Sequence, residues 1–198
     1  MFEKPFETKV SFPLQAKFEQ EVTAAARMVV VGSAGAGKTR LALALGQLRR
    51  LPVIHGDKIF WRPGWTDPDN DTFRAEVSRL TGAEAWIYDG NLGRVADIVL
   101  PRAQVVIWIE QPLYLAALRA YARTLKYLGR TRPEMGEGCP ERLSLSLWGY
   151  VRKFDTSMRP RLESWIQEFA PQIPVVVLRG DQQVAAFLTA CARSDMRG

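Results

Sequence analysis

The sequence predicts a three-layer α/β domain built on a five-stranded parallel sheet, and three observations carry that prediction. Five short apolar runs, at residues 28–31, 51–55, 86–88, 104–109 and 174–178, are separated by stretches of helical character. The first run enters a glycine-rich loop, and the loop enters a segment rich in strong helix formers, residues 40–48. Polar residues stand at the carboxyl end of every run, where open α/β sheets gather their active groups.

The elements follow in order. Residues 1–26 mix charges and prolines and end in an amphipathic stretch, 14–26; they read as an N-terminal appendage to a domain spanning 27–198. Residues 28–31 form the first strand, 40–48 a helix and 51–55 the second strand. Residues 70–81 are a polar helix, capped near Asp71. The third strand, 86–88, ends at Asp89 and Gly90; a short helix, 94–100, is stopped by Pro101. The fourth strand is 104–109, and Pro112 opens a helix to 128. Residues 129–140 hold Gly, Pro and Arg without an apolar period and read as a loop. Residues 141–170 are helical with a restart at Pro160. Residues 174–178 are the fifth strand and 182–193 the closing helix.

The loop carries the chemistry. Gly32, Gly37, Lys38 and Thr39 occupy the fixed places of G-x-x-x-x-G-K-[ST]. A polyphosphate needs backbone N–H groups at close range, and Gly32, Gly35 and Gly37 supply the clearance. Gly32, Ser33, Ala34, Gly35, Ala36, Gly37, Lys38 and Thr39 therefore form the expected ATP cradle. Lys38 reaches the outer phosphates and serves catalysis, and the Thr39 hydroxyl faces Mg²⁺. The following helix turns its positive end to the anion.

At 198 residues the chain suits one domain. It has no apolar run long enough to span a bilayer and no signal-peptide pattern at its start. Cys139 and Cys191 are too few for a disulfide scaffold, so a reducing cytoplasm is expected. No Cys/His cluster has metal-site spacing. The net charge of +6 is concentrated between 119 and 161, where ten basic residues (Arg119, Arg123, Lys126, Arg130, Arg132, Arg142, Arg152, Lys153, Arg159 and Arg161) face four acids. Arginine dominates the set, which suits forked phosphate contacts.

Other strand ends add candidates. Asp89 fits a magnesium partner, with Arg94 close by in sequence. Asp57 fits the residue that orients an acceptor hydroxyl or takes its proton. His55, the only histidine, reads as a packed, hydrogen-bonded strand end. Trp61 and Trp65 either anchor their loop or wall an acceptor pocket. Arg130, Arg132 and Arg142 sit in a segment, 129–142, that reads as a lid closing over the polyphosphate, with Gly129, Gly136 and Gly138 as hinges.

The motifs GSAGAGKT, PVIHGDKIFWRPGW, WIYDGN, VVIWIEQP, GRTRPEMGEGCPER and VVVLRG together resemble the adenylate-kinase-like P-loop kinases, and more closely the topology modulation proteins related to adenylate kinase. The resemblance implies sheet order 2-3-1-4-5, a lid over ATP and an acceptor site on the far side. It implies an acceptor-phosphate role for Arg94, a role toward the acceptor for Asp57 and Asp89, and an adenine-side position for Arg179. Arg159 and Arg161 resemble arginines that follow the lid. The Asp-Gly-Phe-Pro-Arg segment of adenylate kinases is not intact here.

These readings converge on an ATP- and Mg²⁺-dependent phosphotransferase with a small, unidentified acceptor. Its catalytic set is Lys38, Arg130, Arg132 and Asp57. ATP is held by residues 32–39 with Arg123, Arg142 and Arg179; the acceptor by Asp57, Asp89 and Arg94; the metal by Thr39 and Asp89. The rival is an ATP-binding regulatory protein that acts on DNA topology or another macromolecule through the same basic stretch. No helix-turn-helix, zinc module or aromatic nucleic-acid platform supports it.

Overall fold

The structure, a computed structural model, describes residues 9–12, 16–143, 149 and 153–195. Its elements are β1 (Lys9–Ser11), α1 (Ala16–Ala24), β2 (Arg27–Gly32), α2 (Lys38–Arg49), β3 (Val53–His55), α3 (Gly56–Phe60), α4 (Asn70–Thr81), β4 (Trp86–Asp89), α5 (Ala96–Val99), β5 (Val105–Glu110), α6 (Leu113–Lys126), α7 (Arg159–Phe169), β6 (Val175–Arg179) and α8 (Gly180–Asp195). A 3₁₀ turn, Leu100–Arg102, follows α5, and a π-helical turn, Phe154–Met158, precedes α7.

All strands pair in parallel, in the order β1-β6-β5-β2-β4-β3. Counted from the strand that enters the glycine loop, five of them follow 2-3-1-4-5. A sixth, β1, is added at the β6 edge with Lys9 opposite Val175. Three residues with one apolar member carry no periodic signal, so this strand escapes the sequence. Alternation along β2 divides the core. Val29 and Val31 pack with Phe73 and Val77 of α4 and with Leu162 and Ile166 of α7. Met28 and Val30 face the other layer, with Leu41 and Leu45 of α2, Val22 of α1 and Phe187 of α8. Each buried side chain of this size stabilises the fold by about 2 kcal/mol.

Local expectations need three corrections. The cap of α4 is Asp69, whose Oδ2 accepts from the Thr72 N–H at 2.9 Å, and not Asp71. The short helix α3 begins immediately after β3, inside what reads as loop. The 94–100 helix is only Ala96–Val99, tightening to 3₁₀ geometry at Pro101. Pro160 lies in the first turn of α7, as a restart requires. The helical expectation for 144–148 and 150–152, and Arg152 with it, lies outside the described residues. Cys139 and Cys191 are both buried. Among the described residues no helix is long and apolar enough to cross a membrane.

Candidate active site

The loop between β2 and α2 takes its path from glycines. Gly35 has φ +79°, and a Cβ there would overlap the Ala116 carbonyl oxygen of α6. Gly37 has φ +100° and is the N-cap of α2 with no side-chain cap. The first-turn N–H groups of α2 therefore open onto the loop without intrahelical acceptors. Lys38 bends back so that its Nζ donates to the Ser33 carbonyl oxygen at 3.0 Å. Enclosure holds the Lys38 ammonium below its ordinary pKa; Asp89 and Asp57 pull the other way.

Sheet register gathers the acids. Asp89 ends β4 between Val30 of β2 and His55 of β3. Its Oδ2 meets His55 Nδ1 at 3.0 Å, and its buried Oδ1 has no hydrogen-bond partner. His55 is thus the hydrogen-bonded strand end that the sequence suggests. Asp57 stands in the first turn of α3, exposed at the surface. The protein packed around its carboxyl pushes it above the ordinary value, against the attraction of Lys38.

Arginines cover the other side. Arg132 forms an ion pair with Glu141, both side chains nearly buried, and Thr124 Oγ1 donates to Glu141 Oε2 at 3.1 Å. Arg123 is held below its ordinary pKa by enclosure and by Arg132, with Glu141 and Asp57 opposing. A cleft of about 860 Å³ runs over Gly35, Gly37, Lys38 and Thr39, between α2, α6 and α8, with Arg119, Arg123, Lys126 and Arg132 on its walls and Val184 and Leu188 at its apolar end.

The segment 129–142 is a built loop. Its neck closes where the Gly129 N–H donates to Glu141 O and the Glu141 N–H to Arg130 O, each at 3.0 Å. It docks on the tryptophan loop: the Gly64 N–H donates to Gly138 O at 2.8 Å and Trp65 Nε1 to Pro140 O at 2.8 Å. Cys139 Sγ lies 3.0 Å from Arg62 O. A Cβ on Gly136 would overlap the Trp61 carbonyl oxygen, so that glycine serves close approach. The tryptophans stack edge to face, with ring centroids 5.4 Å apart, and anchor this contact.

The structure thus brings Lys38, Thr39, Arg123 and Arg132 to one cleft, with Asp57 and Asp89 within electrostatic reach of Lys38. It does not bring the remaining arginines there. Arg130 and Arg142 are exposed on the loop. Arg179 Nε binds Glu110 Oε2 at 3.0 Å, beside the Arg159–Glu110 ion pair. Arg94 binds Asp67 at 2.7 Å, lies over the Phe60 ring and lines a separate cavity with Arg74 and Asp97. Sequence reasoning counted Arg119 in the basic stretch but did not assign it to the site; its guanidinium forks onto Asp181 at the cleft wall. The spacing of Arg119, Arg123 and Lys126, one helical face, was the available signal. It also missed Glu141 as the counter-charge of the loop.

No protein-family model matches the chain, and no curated protein matches it in sequence. Solved structures do match. A shikimate kinase from Acinetobacter baumannii, in complex with shikimate, is 15% identical, with TM-score 0.54 over 90% of this chain and 97% of that one. A shikimate kinase from Bacteroides thetaiotaomicron is 14% identical, with TM-score 0.51 over 84% and 96%. A gluconokinase from Sinorhizobium meliloti is 18% identical, with TM-score 0.49 over 87% and 92%. The two shikimate kinases establish the likeness at the level of fold: the chain has the fold of small P-loop kinases.

Proposed function

We propose that the chain is an ATP- and Mg²⁺-dependent phosphotransferase that moves the γ-phosphoryl group of ATP to a small acceptor. One observation carries this reading: Lys38 lines a large cleft together with Arg123 and Arg132, within electrostatic reach of two acids, Asp57 and Asp89. Phosphoryl transfer asks for this division, because catalysis is positioning plus neutralisation of charge on the transferring group. The N–H groups at the start of α2 and the Lys38 ammonium hold the outer phosphates. Arg123 and Arg132 neutralise charge that develops as the bond to the leaving oxygen breaks. Asp57, with its raised affinity for a proton, orients an acceptor hydroxyl and takes that proton. The docked loop 129–142 acts as the ATP lid and keeps water from the transferring group.

Thr39 and Asp89 fit a magnesium site, since the buried Asp89 Oδ1 has no hydrogen-bond donor and a cation completes it. Held there by Thr39 and Asp89, magnesium would neutralise phosphate charge.

Within the basic stretch Arg119 is engaged by Asp181, Arg132 by Glu141 and Arg159 by Glu110. The finer resemblance, to the topology modulation proteins, rests on the GCPER and tryptophan-loop motifs. An acceptor screen, with sugar acids, polyols and nucleoside monophosphates each added to Mg-ATP, tests the proposal. Acceptor-dependent ADP release supports it; ADP release unaffected by every acceptor counts against it.

A further inference from the structure

Among the described residues eight large apolar side chains are exposed, and six belong to one stretch: Leu113, Tyr114, Leu118, Tyr121, Leu125 and Leu128. Tyr114, Leu118, Tyr121 and Leu125 recur along α6 at intervals of four, three and four, the seam of a helix that meets another helix, and Leu128 continues the spacing in the turn just past the helix end. The opposite face of α6 is already committed to the domain through Ala116, Ala120 and Thr124. Tyr114 is 73% exposed and Leu118 63%. Single apolar residues on a surface need no cause, but a contiguous stripe in register does.

We propose that this stripe is the interface of a homodimer, in which α6 of a second copy crosses antiparallel about a two-fold axis at Tyr121. Three features point to a second copy. The spacing reads nearly the same in both directions from Tyr121, so the stripe complements itself: Tyr114 faces the partner's Leu128, and Leu118 the partner's Leu125. The seam is edged by the small, uncharged Ala117 and Ala122, and α6 has no acidic residue, so close approach meets no charge at the contact. The five side chains offer on the order of 500 Å² per protomer, most of the roughly 800 Å² that one partner contributes to a standard interface. Leu113 and Leu143 are also exposed. Charge selects the antiparallel arrangement. Lys126 and Arg130 crowd the carboxyl end of the helix, and a parallel pair would set them against their own copies. The proposal does not depend on the catalytic reading, because the stripe faces away from the cleft.

The test is the solution mass of the full chain at micromolar concentration, by light scattering. The wild type is expected at twice the chain mass of 22.3 kDa, and Leu118→Asp/Leu125→Asp at half that value with unchanged far-ultraviolet circular dichroism. Tyr121→Cys is expected to cross-link to itself under mild oxidation, while Leu128→Cys cross-links only when mixed with Tyr114→Cys. The native cysteines are buried and do not interfere. A wild-type mass of one chain overturns the proposal, whether the stripe is then bare, covered by the chain itself or kept for another protein. So does a double mass that the aspartates leave intact, or a Leu128→Cys self-link without the mixed one. If the aspartate variant fails to fold, the cysteine pattern alone decides.

Discussion

Arg132 and Glu141 form an ion pair inside the loop that overhangs Lys38, with side chains only 10% and 8% exposed. The pair fixes an arginine at the cleft wall. Removing one partner strands the other charge away from water, which costs about 3 kcal/mol. Glu141→Gln is therefore expected to lower unfolding free energy in urea by about 3 kcal/mol. The double change Arg132→Met/Glu141→Leu is expected to lose much less, because no charge remains to be stranded. A Glu141→Gln variant as stable as the wild type would contradict the pairing.

Gly136 lies against the Trp61 carbonyl, with no room for a side chain. Gly136→Ala is expected to loosen two segments at once, 61–66 and 129–142. Amide hydrogen exchange should rise in both, and proteases should begin to cut between 129 and 140. In the wild type the same loop should resist cutting even without ATP, because it is docked by Gly64, Trp65 and Cys139 contacts. Faster exchange confined to 129–142 would show that the loops are not joined.

Asp57 gives a pH signature with a definite sign. Its folded-state pKa is raised, chiefly by enclosure, so its charged form costs stability. That cost is present above the folded pKa and is gone below the unfolded value of about 3.9. Asp57→Asn is expected to raise Tm near pH ~8, to leave it unchanged near pH ~3, and to lower turnover about 100-fold. Wild-type turnover should fall on the acid side at a higher pH than an ordinary carboxylate would give. A Tm that drops near neutrality would reverse the assigned sign.

Legibility in the sequence followed the kind of signal. The glycine loop and the five apolar strands were readable because fixed spacing and continuous apolar runs reflect backbone geometry directly. β1 was not, since three residues borrow their conformation from β6. Asp69 and Asp71 are both good caps, and only the backbone decides between them. In the arginine-rich stretch the sequence supplied charge but no pairing. Arg132 and Arg123 reached the cleft, and so did Arg119, which the sequence counted in the basic stretch without giving it a role in the site. Glycines 136 and 138 looked like hinges because glycine permits both motion and close approach, and only the neighbouring Trp61 and Pro63 distinguish the two.

The most direct measurement of the central claim is transfer of labelled γ-phosphate from Mg-ATP, in an acceptor screen, by the wild type and by Lys38→Ala. The expected result is label recovered on at least one acceptor, with transfer reduced at least ~100-fold in the variant while its fold is retained. Label found on no acceptor, or equal transfer by both proteins, would contradict the assignment of Lys38 and its cleft to phosphoryl transfer.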